Sequence, residues 1–136
     1  MKKTFLENYV KFVLRLDKIF MKDNNYYVDA YIGPKDLNYI VNDEKIKSPK
    51  ELLSEIDKLF IDLRKLELKE NRKKYLEKQL KAMHIILRIF DGEKMNFKDQ
   101  VESVLDINYQ WVSEEHYEKG LELFKSGLPG KGNLIE

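Results

Sequence analysis

The sequence predicts an all-α protein, an irregular multi-helix bundle of about five to seven helices. Three observations predict it. Apolar residues recur at three- and four-residue steps along most of the chain. Capping residues stand at the starts of those stretches. No second segment reads as a strand that could pair with the single β-like stretch at 26–33.

Taken in order, residues 4–21 form the first amphipathic helix. Phe5, Tyr9, Phe12, Leu16 and Ile19 make its stripe, with Lys11, Arg15 and Lys18 off it. Lys22 to Asn25 offer turn chemistry. Residues 26–33 are rich in tyrosine and β-branched side chains, but a lone strand is not stable, so a short helix or an ordered turn is expected. Pro34 suits the first position of a short helix reaching residue 41, and 42–47 read as a polar loop. Ser48-Pro49-Lys50-Glu51 carries a capping box with proline at the first helical position. Leu52, Leu53, Ile56, Leu59, Phe60, Leu63 and Leu66 give the next helix its apolar face. Tyr75, Leu76, Leu80, Met83, Ile86, Leu87 and Phe90 mark another, with a turn signal at 69–72 between them. A hairpin is preferred to one helix over 49–90, which would be about 63 Å long. Gly92 suits a left-handed helix end, Asn96 caps a helix over 97–105, and Ser113 caps another over 114–126. Gly127 to Gly130 stop it. The expected layout is one helical domain over 1–130 and a tail or linker over 131–136.

The 136 residues suffice to bury a core. Charged residues reach 36%, which points to long helices with wide solvated faces, and apolar residues at 43% argue against disorder. A net charge of +1 provides no global field toward nucleic acid or membrane. No cysteine is present, which excludes disulfides, thiolate nucleophiles and cysteine-ligated zinc. No apolar run approaches the roughly 20 residues of a membrane span. Glu7, Lys11 and Arg15 interrupt what would be the apolar part of a signal peptide, so a cytoplasmic location is expected.

The search for catalytic groups returns little. His84 and His116 lack a second histidine at the fourth position beyond, so no helical zinc pair forms. No Gly-x-Ser-x-Gly elbow or glycine-rich phosphate loop occurs. Arg72-Lys73-Lys74 with Lys78 and Lys81 reads as a solvated helix face, because Glu70, Glu77 and the near-neutral total charge argue against the alternative, a basic stripe for phosphates. No catalytic, cofactor-binding or metal-ligating residue is therefore assigned. The segment that stands out holds Tyr27, Asp29 and Tyr31, with Tyr26 beside them. Two readings stand: a polar cleft in which the phenols bond the carboxylate or a ligand, and a corner in which Asp29 satisfies backbone donors or the tyrosine hydroxyls. Trp111 is expected as a packing plug between helices, with an interface as the alternative.

Tyr27-Val28-Asp29-Ala30-Tyr31-Ile32-Gly33-Pro34 resembles the Tyr-Val-Asp-Ala-Tyr-x-Gly-Pro stretch of a family of uncharacterised zincin-like metallopeptidases. Tyr75-Leu76 with Gln79-Leu80-Lys81-Ala82 is similar to that family's Leu-x-x-Gln-Leu-x-Ala helix. Gly92-Glu93 with Phe97 and Asp106-Ile107 are similar to its next two features, Leu105 standing where the family has a tyrosine. Leu128-Pro129-Gly130-Lys131-Gly132-Asn133-Leu134 is similar to its Leu-Pro-Gly-x-Gly-x-Leu junction. The family's zinc is held by a His-Glu motif further along a longer chain, and no such motif occurs here. The resemblance thus implies an N-terminal helical domain of a zinc-dependent peptidase-like hydrolase, without catalytic residues of its own. Zinc would sit in a separate catalytic part, the expected partner, with Asp29, Tyr31 and Tyr27 as the cleft contacts. The alternative is a stand-alone helical interaction module, a homodimer among its forms. A third and weaker reading is a metal-independent hydrolase built on Asp29 and the surrounding tyrosines.

Overall fold

The computed structural model describes residues 2–108 and 110–127. These form six α-helices and no strand: α1 (Lys2–Phe20), α2 (Lys35–Asp43), α3 (Pro49–Lys65), α4 (Glu70–Phe90), α5 (Phe97–Leu105) and α6 (Glu114–Gly127). A single 3-10 turn, Met21–Asp23, extends α1. The all-α class is as expected.

The core follows from three stripes. α3 buries Leu52, Ile56, Leu59 and Leu63, and α4 buries Leu76, Leu80, Met83 and Leu87. Both run at four-three-four steps, the spacing that keeps one seam facing a neighbouring helix. α1 adds Phe5, Phe12, Leu16 and Ile19 to the same cluster. The 49–90 region is therefore the expected hairpin. Its turn lies at 66–69, just before the polar stretch that signalled it. Leu66 is buried and Leu68 packs against the core, so two leucines hold the turn down while Lys69 and Glu70 face water. Lys73 Nζ closes the end of α3 by donating to the Arg64 carbonyl at 2.9 Å.

α1 lies antiparallel to α3, since Arg15 meets Glu55 while Phe5 and Leu66 line one cleft near the opposite end. It runs parallel to α4, with Phe20 edge-on to Phe90 at 4.9 Å near both C-termini. α2 packs on α1, and Leu14, Leu37 and Val41 are buried outside the central cluster. α5 packs on α4.

The local signals act as the sequence predicts. Ser48 and Glu51 make both halves of the capping box. The Asn96 side chain accepts from the Asp99 amide at 2.9 Å, and Gly92 takes φ +100° past the end of α4. Boundaries differ by small amounts. Pro34 is the residue before α2 rather than its first, and α2 continues to Asp43, shortening the expected polar loop. The Leu-Pro-Gly junction and the tail over 131–136 lie outside the described residues.

Candidate functional site

Residues 24–34 are neither helix nor strand but an ordered connection, one of the two expected forms. Asn24 ends the 3-10 turn in the left-handed region at φ 57°, a conformation asparagine tolerates. Asp17 of α1 then clamps the returning chain. Its Oδ1 accepts the amides of Tyr27 at 2.7 Å and Val28 at 3.0 Å. The Tyr27 ring packs on Phe20 at 5.4 Å, and burial pushes its phenol pKa upward. Tyr31 donates its hydroxyl to the Pro34 carbonyl at 2.9 Å. Its ring lies so close over Gly33 that a Cβ there would sit 2.6 Å from Tyr31 Cζ, so a side chain at that position would push the tyrosine ring aside.

These contacts give the two tyrosines of the Tyr-Val-Asp-Ala-Tyr-x-Gly-Pro stretch structural roles, Tyr27 by packing on Phe20 and Tyr31 by bonding the Pro34 carbonyl over Gly33. The acceptor of the backbone donors is Asp17, not Asp29, a role that sequence spacing could not reveal. Asp29 is exposed, Tyr26 is exposed, and Ile32 is 98% exposed. The connection is thus a braced loop whose outward residues are Tyr26, Asp29 and Ile32.

Beside it, α1 carries the most heavily bonded charged cluster. Arg15 grips Glu44 with two hydrogen bonds of 2.7 Å each and reaches Glu55 at 3.0 Å. Lys47 bonds the other oxygen of Glu55. The Arg15 guanidinium holds the Glu44 carboxyl below the usual carboxylate range, against the opposing effect of burial. Glu44 in turn raises the Arg15 pKa. Lys18 donates to the Val41 carbonyl at 2.7 Å, to Asn42 at 3.1 Å and to Glu44, closing the C-terminus of α2. Every member is held by its neighbours, so the cluster clasps α1, α2 and α3 together.

The other polar candidates have structural partners as well. His84 packs edge-on to Phe60, with Nε2 3.9 Å from Asp57. His116 lies in the exposed first turn of α6 against Tyr117. On the basic face of α4, Lys74 meets Glu70, Lys81 meets Glu77, Lys78 meets Asp106, and Arg72 lies over the Tyr75 ring. Across the core edge, burial and the neighbouring phenols of Tyr27 and Tyr75 push the Tyr9 phenol up to about 12. Among the described residues, no three His, Asp or Glu side chains converge as metal ligands.

Two adjoining clefts open between α1 and α3. One of about 390 Å³ is lined by Thr4, Phe5, Asn8, Asp62, Lys65 and Leu66. The other, of about 170 Å³, adds Phe12, Arg15 and Leu59. Neither involves Tyr27, Asp29 or Tyr31.

Beyond α5 every described residue is exposed. Trp111 is 81% exposed, so it is not the expected plug; the chain has left the core by that point. No described helix packs against α6, although Tyr117, Leu121 and Phe124 present a stripe along it.

Fold and site together define a helical bundle with a braced outward loop and a helix, α6, on which no other described helix packs. Compared with known protein families, characterised proteins and solved structures, the chain matches none. No helix among the described residues is long and apolar enough to cross a membrane.

Proposed function

We propose that this chain is a non-catalytic helical domain that docks against the catalytic part of a zincin-like hydrolase. The observation that carries the reading is the loop at 24–34. Its backbone is pinned by Asp17, Tyr27 and Tyr31, while Ile32 stands 98% exposed. An apolar side chain held outward on a braced loop suits a pre-organised contact, because little ordering entropy is lost on docking. Asp29 and Tyr26 flank it and supply polar specificity. The zinc and the groups that activate water belong to the partner; this chain contributes one wall of the cleft through Asp29, with Tyr27 and Tyr31 holding the loop that presents it.

The test uses a polypeptide encoded in the same frame or by a neighbouring gene and bearing a His-Glu zinc motif. It binds this chain, and Ile32→Asp weakens binding about tenfold or more. The purified chain alone hydrolyses no peptide. Absence of any such encoded motif, or turnover by the chain alone, overturns the reading.

A further inference from the structure

We propose that α6 is a self-association helix, through which two copies of this chain pair antiparallel along the Tyr117, Leu121 and Phe124 stripe. The inference does not depend on the hydrolase reading. Isolated helices of this length are marginal in water, and Gly120 weakens α6 further. Its three stripe residues are 66%, 47% and 59% exposed. A helix with an apolar stripe and no described helix beside it calls for a cover.

The arrangement of charge around the stripe selects a second copy as that cover. At about 100° per residue, Tyr117, Leu121 and Phe124 fall within about 60° of one another. Glu114, Glu118 and Lys125 line one flank, and Gly120 and Gly127 line the other. Glu115 and Lys119 pair with each other at 2.7 Å on the far face and take no part.

In an antiparallel pair related by a twofold axis, each flank meets the same flank of its partner, reversed in direction. Tyr117 then opposes the partner's Phe124, Leu121 opposes the partner's Leu121, and Glu118 opposes the partner's Lys125. All three pairings fall within one residue, about 1.5 Å along the axis, of a single register. The glycine flanks meet each other and let the backbones approach. The acidic first turn of each helix lies beside the basic last turn of the other, and the helix dipoles oppose. A parallel pair would set the charged flank against the glycine flank and lose this complementarity. A single helix pair is a small interface, so the dimer is concentration-dependent.

Sedimentation equilibrium of the full chain at low salt, over a concentration series reaching millimolar, tests this. The mass is expected to rise from 16.3 kDa toward twice that value. Leu121→Glu holds the chain at monomer mass, while the melting of the α1–α5 core is unchanged because α6 does not pack on it. Glu118→Lys and Lys125→Glu each weaken the dimer about tenfold, and the two together restore it. A monomer throughout the series overturns the proposal. So does a dimer that survives Leu121→Glu, or single charge reversals that the double variant does not rescue.

Discussion

At the scale of single residues, the charged side chains of α1 bind tertiary partners that no local rule connects to them. Arg15 and Glu44 lie 29 positions apart. Side-chain exposures of 18% and 27% place the pair partly out of water, where a two-bond guanidinium contact is worth more than a surface ion pair. The Glu44 carboxyl is held below its ordinary pKa in the folded state, principally by the hydrogen bond from Arg15. Its contribution to stability is therefore present above the unfolded carboxylate pKa and lost as pH falls through the lower folded value. Glu44→Gln is expected to lower stability at neutral pH by about 1–2 kcal/mol and to flatten the acid limb, as read by denaturant unfolding across pH. Equal acid limbs in parent and variant would show that the pair is not coupled to folding. The sequence placed Arg15 off the apolar stripe, and that was legible; its partners were not, because they arrive from α2 and α3.

At the scale of elements, the capped helices were the most legible features. A capping box at Ser48 and an asparagine cap at Asn96 act within three residues, so their geometry is contained in the local sequence. The 24–34 connection is the opposite case. Its tyrosines and β-branched residues carry strand propensity, yet its conformation is set by Asp17 accepting two amides across ten and eleven positions. Asp17→Ala leaves those amides without their acceptor. It is expected to speed hydrogen exchange at Tyr27 and Val28 while leaving α3 and α4 protected. Unchanged exchange at both amides would remove the clamp from the account. A loop that loosens in this variant would also weaken any contact made through Ile32, which links the brace to the proposed docking.

For the whole molecule, the central buried cluster lies in the α1, α3 and α4 seam, and α5 and α6 add no buried residue to it. Leu80 is 0% exposed at the centre of that seam. Leu80→Ala is expected to cost about 2–5 kcal/mol through lost burial and the cavity left behind, measured by denaturant unfolding. A loss below 1 kcal/mol, about what a well-relaxed small substitution costs, would mean that the seam repacks and is not the cooperative core. Trp111 shows the limit of composition-based reasoning at this scale. A lone tryptophan between helices reads as a plug, but whether any helix returns to cover it depends on the path of the chain after α5.

The sequence by itself determined the helical class, the capped starts of α3 and α5 and the apolar stripes, because each is written in contacts a few residues apart; it only favoured the hairpin over one long helix across 49–90, on length. Only the tertiary structure decided that Asp17 braces the loop, that Arg15 and Lys18 clasp α2, and that no other described helix packs on α6. Those outcomes depend on which helix faces which, a matter of packing between segments distant in the chain that residue spacing does not encode.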